Sequence, residues 1–297
     1  MAWHAINNCR VVSPRNNSAM KMDYTEEEIT YTELHTEYVK LYRNNKGLLD
    51  SMHYAAFVQQ GILPQERHFK RLFSDYFIMY KPQSIIGGDL YWVGQKGNFK
   101  IFAVGDCTGH GISGAMLSVL ALSFLNYIVL GKDFTLIGEV LDEMDKKWLE
   151  TFQQGIELGY NNDWMEIGIG AYNTETRELQ YAGAFSKLTY IVEGELFELV
   201  GNKYPIGGWQ LEKERKFKTY HITLPENTTL YLSSDGFKDQ FGYETGKRYG
   251  SRRLKEFLKR VVKLPAAEQK IIVEKEFALW KSIEEQTDDV CLMGIKL

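Results

Sequence analysis

Residues 87–106 read Gly87-Gly88-Asp89-Leu90-Tyr91-Trp92-Val93-Gly94-Gln95-Lys96-Gly97-Asn98-Phe99-Lys100-Ile101-Phe102-Ala103-Val104-Gly105-Asp106. Two β-prone runs flank Gly97-Asn98, a glycine-containing pair of the kind that closes two-residue hairpins. If those two residues form the turn, Lys96 pairs with Phe99 and every facing pair sums to 195. Asp89 and Asp106 satisfy that sum, which places their Cβ atoms about 4.5–5.5 Å apart across the ladder. Like charges directly opposite destabilise a sheet, and this pair terminates a mostly apolar hairpin. Three resolutions are open: hard divalent cations such as Mg²⁺ or Mn²⁺, a shared proton, or two solvated strand-end aspartates.

Two further sites repeat the arrangement. Leu230-Tyr231-Leu232-Ser233-Ser234 runs from apolar to polar and stops at Asp235-Gly236, while Asp288-Asp289 stands just before Val290-Cys291-Leu292-Met293-Gly294-Ile295. Alone, an Asp-Gly is a common turn and an Asp-Asp a common loop. Four carboxylates at the mouths of core strands shift the balance toward a dinuclear, oxygen-ligated metal centre. Two such ions bridged by a water supply a nucleophile near neutral pH and clamp an in-line displacement at phosphorus.

The remaining strand signals are Met165–Asn173, Glu178–Ala184, Leu188–Val192, Leu196–Val200, Phe217–Leu224, Thr229–Ser233 and Val290–Lys296, with Glu193-Gly194 as a second hairpin turn. Helical periodicity covers 112–130, 134–153, 250–263 and 265–284. Hairpin-linked strands with helices grouped between them indicate an α+β fold layered around an antiparallel core. The uncharged stretch 111–131 is long enough to span a membrane. Its three serines and Asn126, and the lack of a close Lys/Arg cluster, favour a buried core helix instead.

The 297-residue chain sets 35 Lys and Arg against 39 Asp and Glu. That balance excludes a polybasic nucleic-acid binder. Three dispersed cysteines, Cys9, Cys107 and Cys291, form no disulfide framework or zinc pattern, so a reducing, cytoplasmic setting is expected. The N-terminus lacks the apolar core of a secretory signal. Residues 1–24 show no periodicity and are expected to be mobile or a short separate element. From Leu34 to Ile62, apolar residues recur in steps of four and three, interrupted by Asn45 and Gln59, and Pro64 ends the helix. A dimerising coiled coil and a helix packed on its own domain both satisfy that pattern.

The strings Gly87-Gly88-Asp89-Leu90-Tyr91-Trp92, Gly105-Asp106-Cys107-Thr108-Gly109-His110-Gly111, Ser234-Asp235-Gly236 and Thr287-Asp288-Asp289-Val290 resemble, in order and spacing, the SpoIIE/RsbU-like branch of the metal-dependent PPM protein phosphatases. Met52-His53-Tyr54-Ala55 with Gly61-Ile62-Leu63-Pro64, Tyr80-Lys81-Pro82 and Pro205-Ile206-Gly207-Gly208 add to the likeness, which runs from about Ser51 to the C-terminus. It implies an αββα sandwich of two antiparallel sheets flanked by helices, with residues 51–297 as the phosphatase domain. Residues 1–50 are then a tail and a signalling or dimerisation helix that runs to about 63. The stretch 112–130 becomes a helix packed on a sheet, not a membrane span.

The resemblance further implies that Asp89 and Asp106 surround a pair of Mn²⁺ or Mg²⁺ ions, with Asp89 bridging. The Cys107 backbone carbonyl completes one shell, and Asp235 and Asp288 ligate the second ion. Asp289 is the weaker candidate. The implied reaction is hydrolysis of phosphoserine or phosphothreonine by metal-activated water, without a phosphoenzyme. The implied substrate is a phosphorylated regulatory protein, such as a STAS-type antagonist of an anti-sigma factor in bacterial partner switching. Eukaryotic members carry a histidine two residues after the second aspartate, where Thr108 stands here. His110, two positions further on, is the substitute candidate for general acid. The competing reading is a catalytically silent dimeric scaffold, which would have no reason to hold buried like charges together.

Overall fold

The structure, a computed structural model, describes residues 31–153, 162–209 and 215–297. The expectation for residues 1–24 therefore lies outside the described residues. Chain contacts divide the protein into Met1–Ser51 and Met52–Leu297. In the first unit the described residues are helical, the opening of α1 (Tyr31–Ile62).

In the second unit, α1 stops before Pro64 and is followed by α2 (Glu66–Leu72), β1 (Asp75–Lys81), β2 (Asp89–Lys96) and β3 (Phe99–Cys107). Helix α3 (Gly111–Leu125) runs on through a π-helical turn at Asn126–Leu130, and α4 (Ile137–Gln153) follows. Next come β4 (Trp164–Asn173), β5 (Glu178–Ala184), β6 (Lys187–Val192), β7 (Glu195–Val200), the two-residue β8 (Ile206–Gly207), β9 (Tyr220–Thr223) and β10 (Thr229–Ser233). The one-turn α5 (Gly236–Asp239), α6 (Ser251–Val261), α7 (Ala266–Lys281) and β11 (Val290–Lys296) complete the unit.

Two antiparallel sheets result. One has the order β1-β11-β10-β6-β7, the other β2-β3-β4-β5-β9 with β8 beside β4. Strand alternation sorts the side chains into layers. On β3, Ile101 and Ala103 pack under α3 and α4 with Leu122, Met144 and Trp148, whereas Phe102 and Val104 enter the space between the sheets. On β11, Cys291 and Met293 face that space while Val290 and Leu292 pack on α6 and α7 with Phe257 and Phe277. The architecture is therefore helices, sheet, sheet, helices. Truncating a side chain as buried as Trp148 to alanine would cost roughly 3–5 kcal/mol.

Gly111–Leu130 is, among the described residues, the one helical stretch long and apolar enough to cross a membrane. Its Leu117, Ala121, Leu122, Leu125 and Val129 are buried against the six-stranded sheet, as a core helix requires. Asn126, the polar interruption, accepts a hydrogen bond from the Trp92 indole N–H at 2.9 Å. Four elements go beyond the sequence expectations: α2, β1, β8 and α5. Strand β1 carries the apolar run Phe77-Ile78-Met79, buried by β11 and α7, which blurs the alternation that marks a half-exposed strand. The strand expected over Phe217–Leu224 contracts to Tyr220–Thr223, because the Phe217 amide is turned to the Asp142 carboxylate at 2.8 Å.

Candidate metal centre

The hairpin register is the one the turn dictates: Lys96 faces Phe99 and Asp89 faces Asp106. Leu90 and Trp92 point toward α3, so period-two geometry turns Asp89 into the space between the sheets. Asp106 shares that face with Phe102 and Val104. In the neighbouring pair Asp106 faces Glu166 of β4, whose flanking Met165 and Ile167 belong to the helix-side layer. From the opposite sheet, Ser234 continues the inward phase of Leu230 and Leu232, and Asp289 that of Cys291 and Met293. Two sheets thus deliver polar groups to one end of one interlayer.

Contacts confirm the convergence. The Ser234 hydroxyl donates to Asp89 Oδ2 at 2.6 Å, while Asp89 Oδ1 and Asp235 Oδ1 are buried without a hydrogen-bond partner. Burial, and then the Asp106 charge, raise the Asp89 carboxyl well above the ordinary carboxylate range. Asp106 is pushed up to about 8 by burial and by Asp235 and Asp288. Glu166 is raised to about 7 by burial and Asp235, and Asp288 is raised chiefly by burial. Desolvated, mutually repelling carboxylates of this kind mark functional sites.

Asp289 has a different employment from its neighbours. Its Oδ1 accepts the Gln83 amide at 2.7 Å and its Oδ2 the Gly88 amide at 2.6 Å. Both carboxylate oxygens are thus occupied in fixing the loop that leads into Asp89. The loop packs so closely that a Cβ on Gly88 would sit 2.7 Å from the Cys107 carbonyl oxygen and 2.9 Å from that of Gly109. A Cβ on Gly236 would collide with the Asp289 carbonyl. The Cys107 carbonyl therefore lies beside the Gly88-Asp89 backbone. The Cys107 thiol is buried, and burial followed by the Asp106 charge pushes it well above its usual range, which suits a core residue and not a nucleophile.

His110 is exposed at the N-terminus of α3, near enough to Asp288 for its charge to favour the ionised carboxylate. Thr108 is engaged elsewhere: its Oγ1 pairs with Asp163 Oδ1 and accepts the Trp164 amide, both at 3.2 Å.

Four contributors were not anticipated from sequence. Glu166 sits in a glycine-rich strand, and its position opposite Asp106 follows only once β3 is paired with β4. Ser234 belongs to a quoted motif, but its bond to Asp89 crosses between sheets. Lys238 follows Asp235 by one turn, with its Nζ 3.7 Å from Asp235 Oδ2. Gln59, which reads in sequence as a weak point of an apolar seam, is buried. Its amide donates to the Gly87 carbonyl at 2.7 Å and to Ser118 Oγ at 2.8 Å.

Among the described residues, no three Asp, Glu, His or Cys side chains already stand in metal-ligand geometry. The donor chemistry nevertheless fits a hard divalent cation: an all-oxygen set, an uncompensated like-charge pair, and two buried orphaned oxygens.

The chain resembles known proteins in both sequence and fold. A sequence model of the stage II sporulation protein E (SpoIIE) family matches residues 98–297. The SiaA PP2C domain of Pseudomonas aeruginosa superposes with a TM-score of 0.77 at 28% identity, covering 86% of this chain and 98% of that one. The SpoIIE phosphatase domain of Bacillus subtilis, with a fragment of its regulatory domain, gives a TM-score of 0.60 at 14% identity over 75% of this chain and 63% of that one. The catalytic domain of the serine/threonine phosphatase PstP, solved with two manganese ions, gives 0.53 at 15% over 75% and 97%. These two share the fold. No curated protein matches the chain.

Proposed function

The chain belongs to the SpoIIE family of PP2C-type protein serine/threonine phosphatases, and from that premise we propose that it removes phosphate from phosphoserine or phosphothreonine on a cytoplasmic regulatory protein. The proposed substrate is a small STAS-type antagonist of an anti-sigma factor in partner switching. The observation that carries the reading is the convergence of Asp89, Asp106, Asp235 and Asp288 from two sheets, with Asp89 Oδ1 and Asp235 Oδ1 buried and unpartnered.

In this reading Asp89, Asp106, Asp235 and Asp288, with the Cys107 backbone carbonyl, would hold Mn²⁺ or Mg²⁺. When bound, such ions supply positive charge against a phosphoryl oxygen and lower the pKa of a water. The protein's own groups do the positioning. Ser234 ties down Asp89 Oδ2 and leaves the buried Oδ1 without a partner. Asp289 acts through the backbone, holding the Gln83 and Gly88 amides so that Asp89 keeps its place. In this reading its role is positioning. The general-acid role is assigned to His110, which is exposed and close enough to Asp288 to act on its charge.

Self-association through residues 34–62 is part of the proposal, supported by the exposed seam of Leu34, Tyr38, Leu41 and Leu48. The substrate assignment is tested by phosphate release from candidate phosphorylated regulatory proteins with and without Mn²⁺. Release only with Mn²⁺, and from one class of regulator, is expected. Release that survives chelation, or none from any phosphoprotein, would overturn it.

A further inference from the structure

A cleft opens beside the carboxylates, lined among others by Asp106, Glu166 and Asp235 and by Lys187, Lys238 and Lys255. Resting on the phosphatase reading, we propose that Lys238 is the residue that grips the phosphoryl group of the substrate and orients it over the site.

The three ammonium groups are not equivalent. Lys187 and Lys255 converge on one carboxylate, with Nζ atoms 3.3 and 2.5 Å from the two oxygens of Glu198. Their charge is committed to that β7 carboxylate. Lys238 lies beside Asp235, on the single turn of α5 that follows it directly, so i,i+3 spacing keeps it on the same side as that carboxylate. Its other neighbour is Asp239, at 3.1 Å.

Both partners of Lys238 have a second source of positive charge. Asp239 is also held by Arg248 at 3.1 Å. Asp235 is a candidate ligand, so bound divalent cations would offset its charge. Lys238 can therefore turn toward an arriving phosphate without stranding a carboxylate, and its side chain, 30% exposed, has the room to do so. A lysine ammonium is a compact point charge with three donors, suited to phosphate oxygens whose orientation changes during hydrolysis. At a site otherwise walled by carboxylates, it also supplies the attraction that draws a dianion in.

The test uses the full chain, with inorganic phosphate as the probe. Phosphate binding to the Mn²⁺-loaded protein is measured by calorimetry and as product inhibition of p-nitrophenyl phosphate hydrolysis, for wild type, Lys238→Met and Lys238→Arg. Loss of one charged hydrogen bond should weaken phosphate binding roughly tenfold in Lys238→Met. KM should rise in step, the Mn²⁺ concentration at half-saturation should not rise, and Lys238→Arg should recover most of the loss. Wild-type phosphate affinity in Lys238→Met would overturn the assignment. So would a loss that tracks a rise in Mn²⁺ half-saturation, which would trace the weaker phosphate binding to weaker metal loading and not to Lys238 itself. A wild-type protein without Mn²⁺-dependent hydrolysis would defeat the phosphatase reading before either variant is compared, and this assignment with it.

Discussion

Asp89 and Asp106 face each other at the end of the β2–β3 ladder remote from the turn, and Asp89 Oδ1 is buried there without a partner. Without a cation, each raises the cost of ionising the other. Replacing Asp106 with asparagine should therefore stabilise the metal-free protein, by about 1 kcal/mol, while lowering Mn²⁺-dependent hydrolysis about 100-fold or more. Thermal melts and p-nitrophenyl phosphate assays on the same preparation check both halves. A variant that is less stable and fully active would contradict the reading of this pair.

The pH dependence follows from the same group. Asp106 and Glu166 titrate at about 8 and about 7 in the metal-free fold, above their values in an unfolded chain near 4. Groups raised in this way contribute stability that is fully present below pH 4 and is lost as pH rises through 7 and 8. Mn²⁺ or Mg²⁺ competes with those protons. The increase in Tm on adding metal should consequently be larger at pH 8 than at pH 5.5, as melts at the two pH values would show. A pH-independent increment would contradict the placement of the ion among these carboxylates.

Much of this centre was legible in the chain because local rules reached it. The Gly97-Asn98 turn sets a register, that register pairs Asp89 with Asp106, and the outcome did not depend on distant packing. Asp235 and Asp288 were visible as strand-end acids for the same local reason. What escaped were relationships across sheets or between distant segments. Ser234 reaches Asp89 over 145 positions, Asp289 reaches Gly88 over 201, and Gln59 reaches Gly87 over 28. In a heptad pattern Gln59 reads as a flaw, since periodicity reports apolar burial and is blind to a buried amide with two partners. Strand β1 escaped for the opposite reason, its central run being apolar on both faces.

Asp289 supports the Asp89 loop through two backbone amides. Asp289→Ala strands the buried Gly88 N–H and frees the part-buried Gln83 N–H, and should destabilise the domain by roughly 1–3 kcal/mol, with Asp289→Asn milder because one carbonyl oxygen remains. Denaturant melts distinguish the two. Equal, small effects would show that the loop is held by other means.

Gln59 ties the end of α1 to the carbonyl just ahead of Gly88-Asp89. Gln59→Ala should cost roughly 1–3 kcal/mol and raise the Mn²⁺ concentration needed for half-maximal activity. Activity titrated against Mn²⁺ provides the measurement. An unchanged metal requirement in a stably folded variant would uncouple α1 from the site.

Residues 34–62 carry the proposed self-association. Deleting residues 1–50 should shift the solution mass toward the monomer in sedimentation at micromolar concentration, while Met52–Leu297 retains its fold. The same mass per chain for both forms would reject the helix as an oligomerisation element.

The central claim is that carboxylates from two sheets hold catalytic divalent ions. Its most direct test is p-nitrophenyl phosphate hydrolysis by wild type, Asp106→Asn and Asp235→Asn across a Mn²⁺ titration. Turnover in the wild type should vanish on chelation and be nearly abolished in both variants at every Mn²⁺ concentration. Metal-independent turnover, or full activity in either variant, would contradict it.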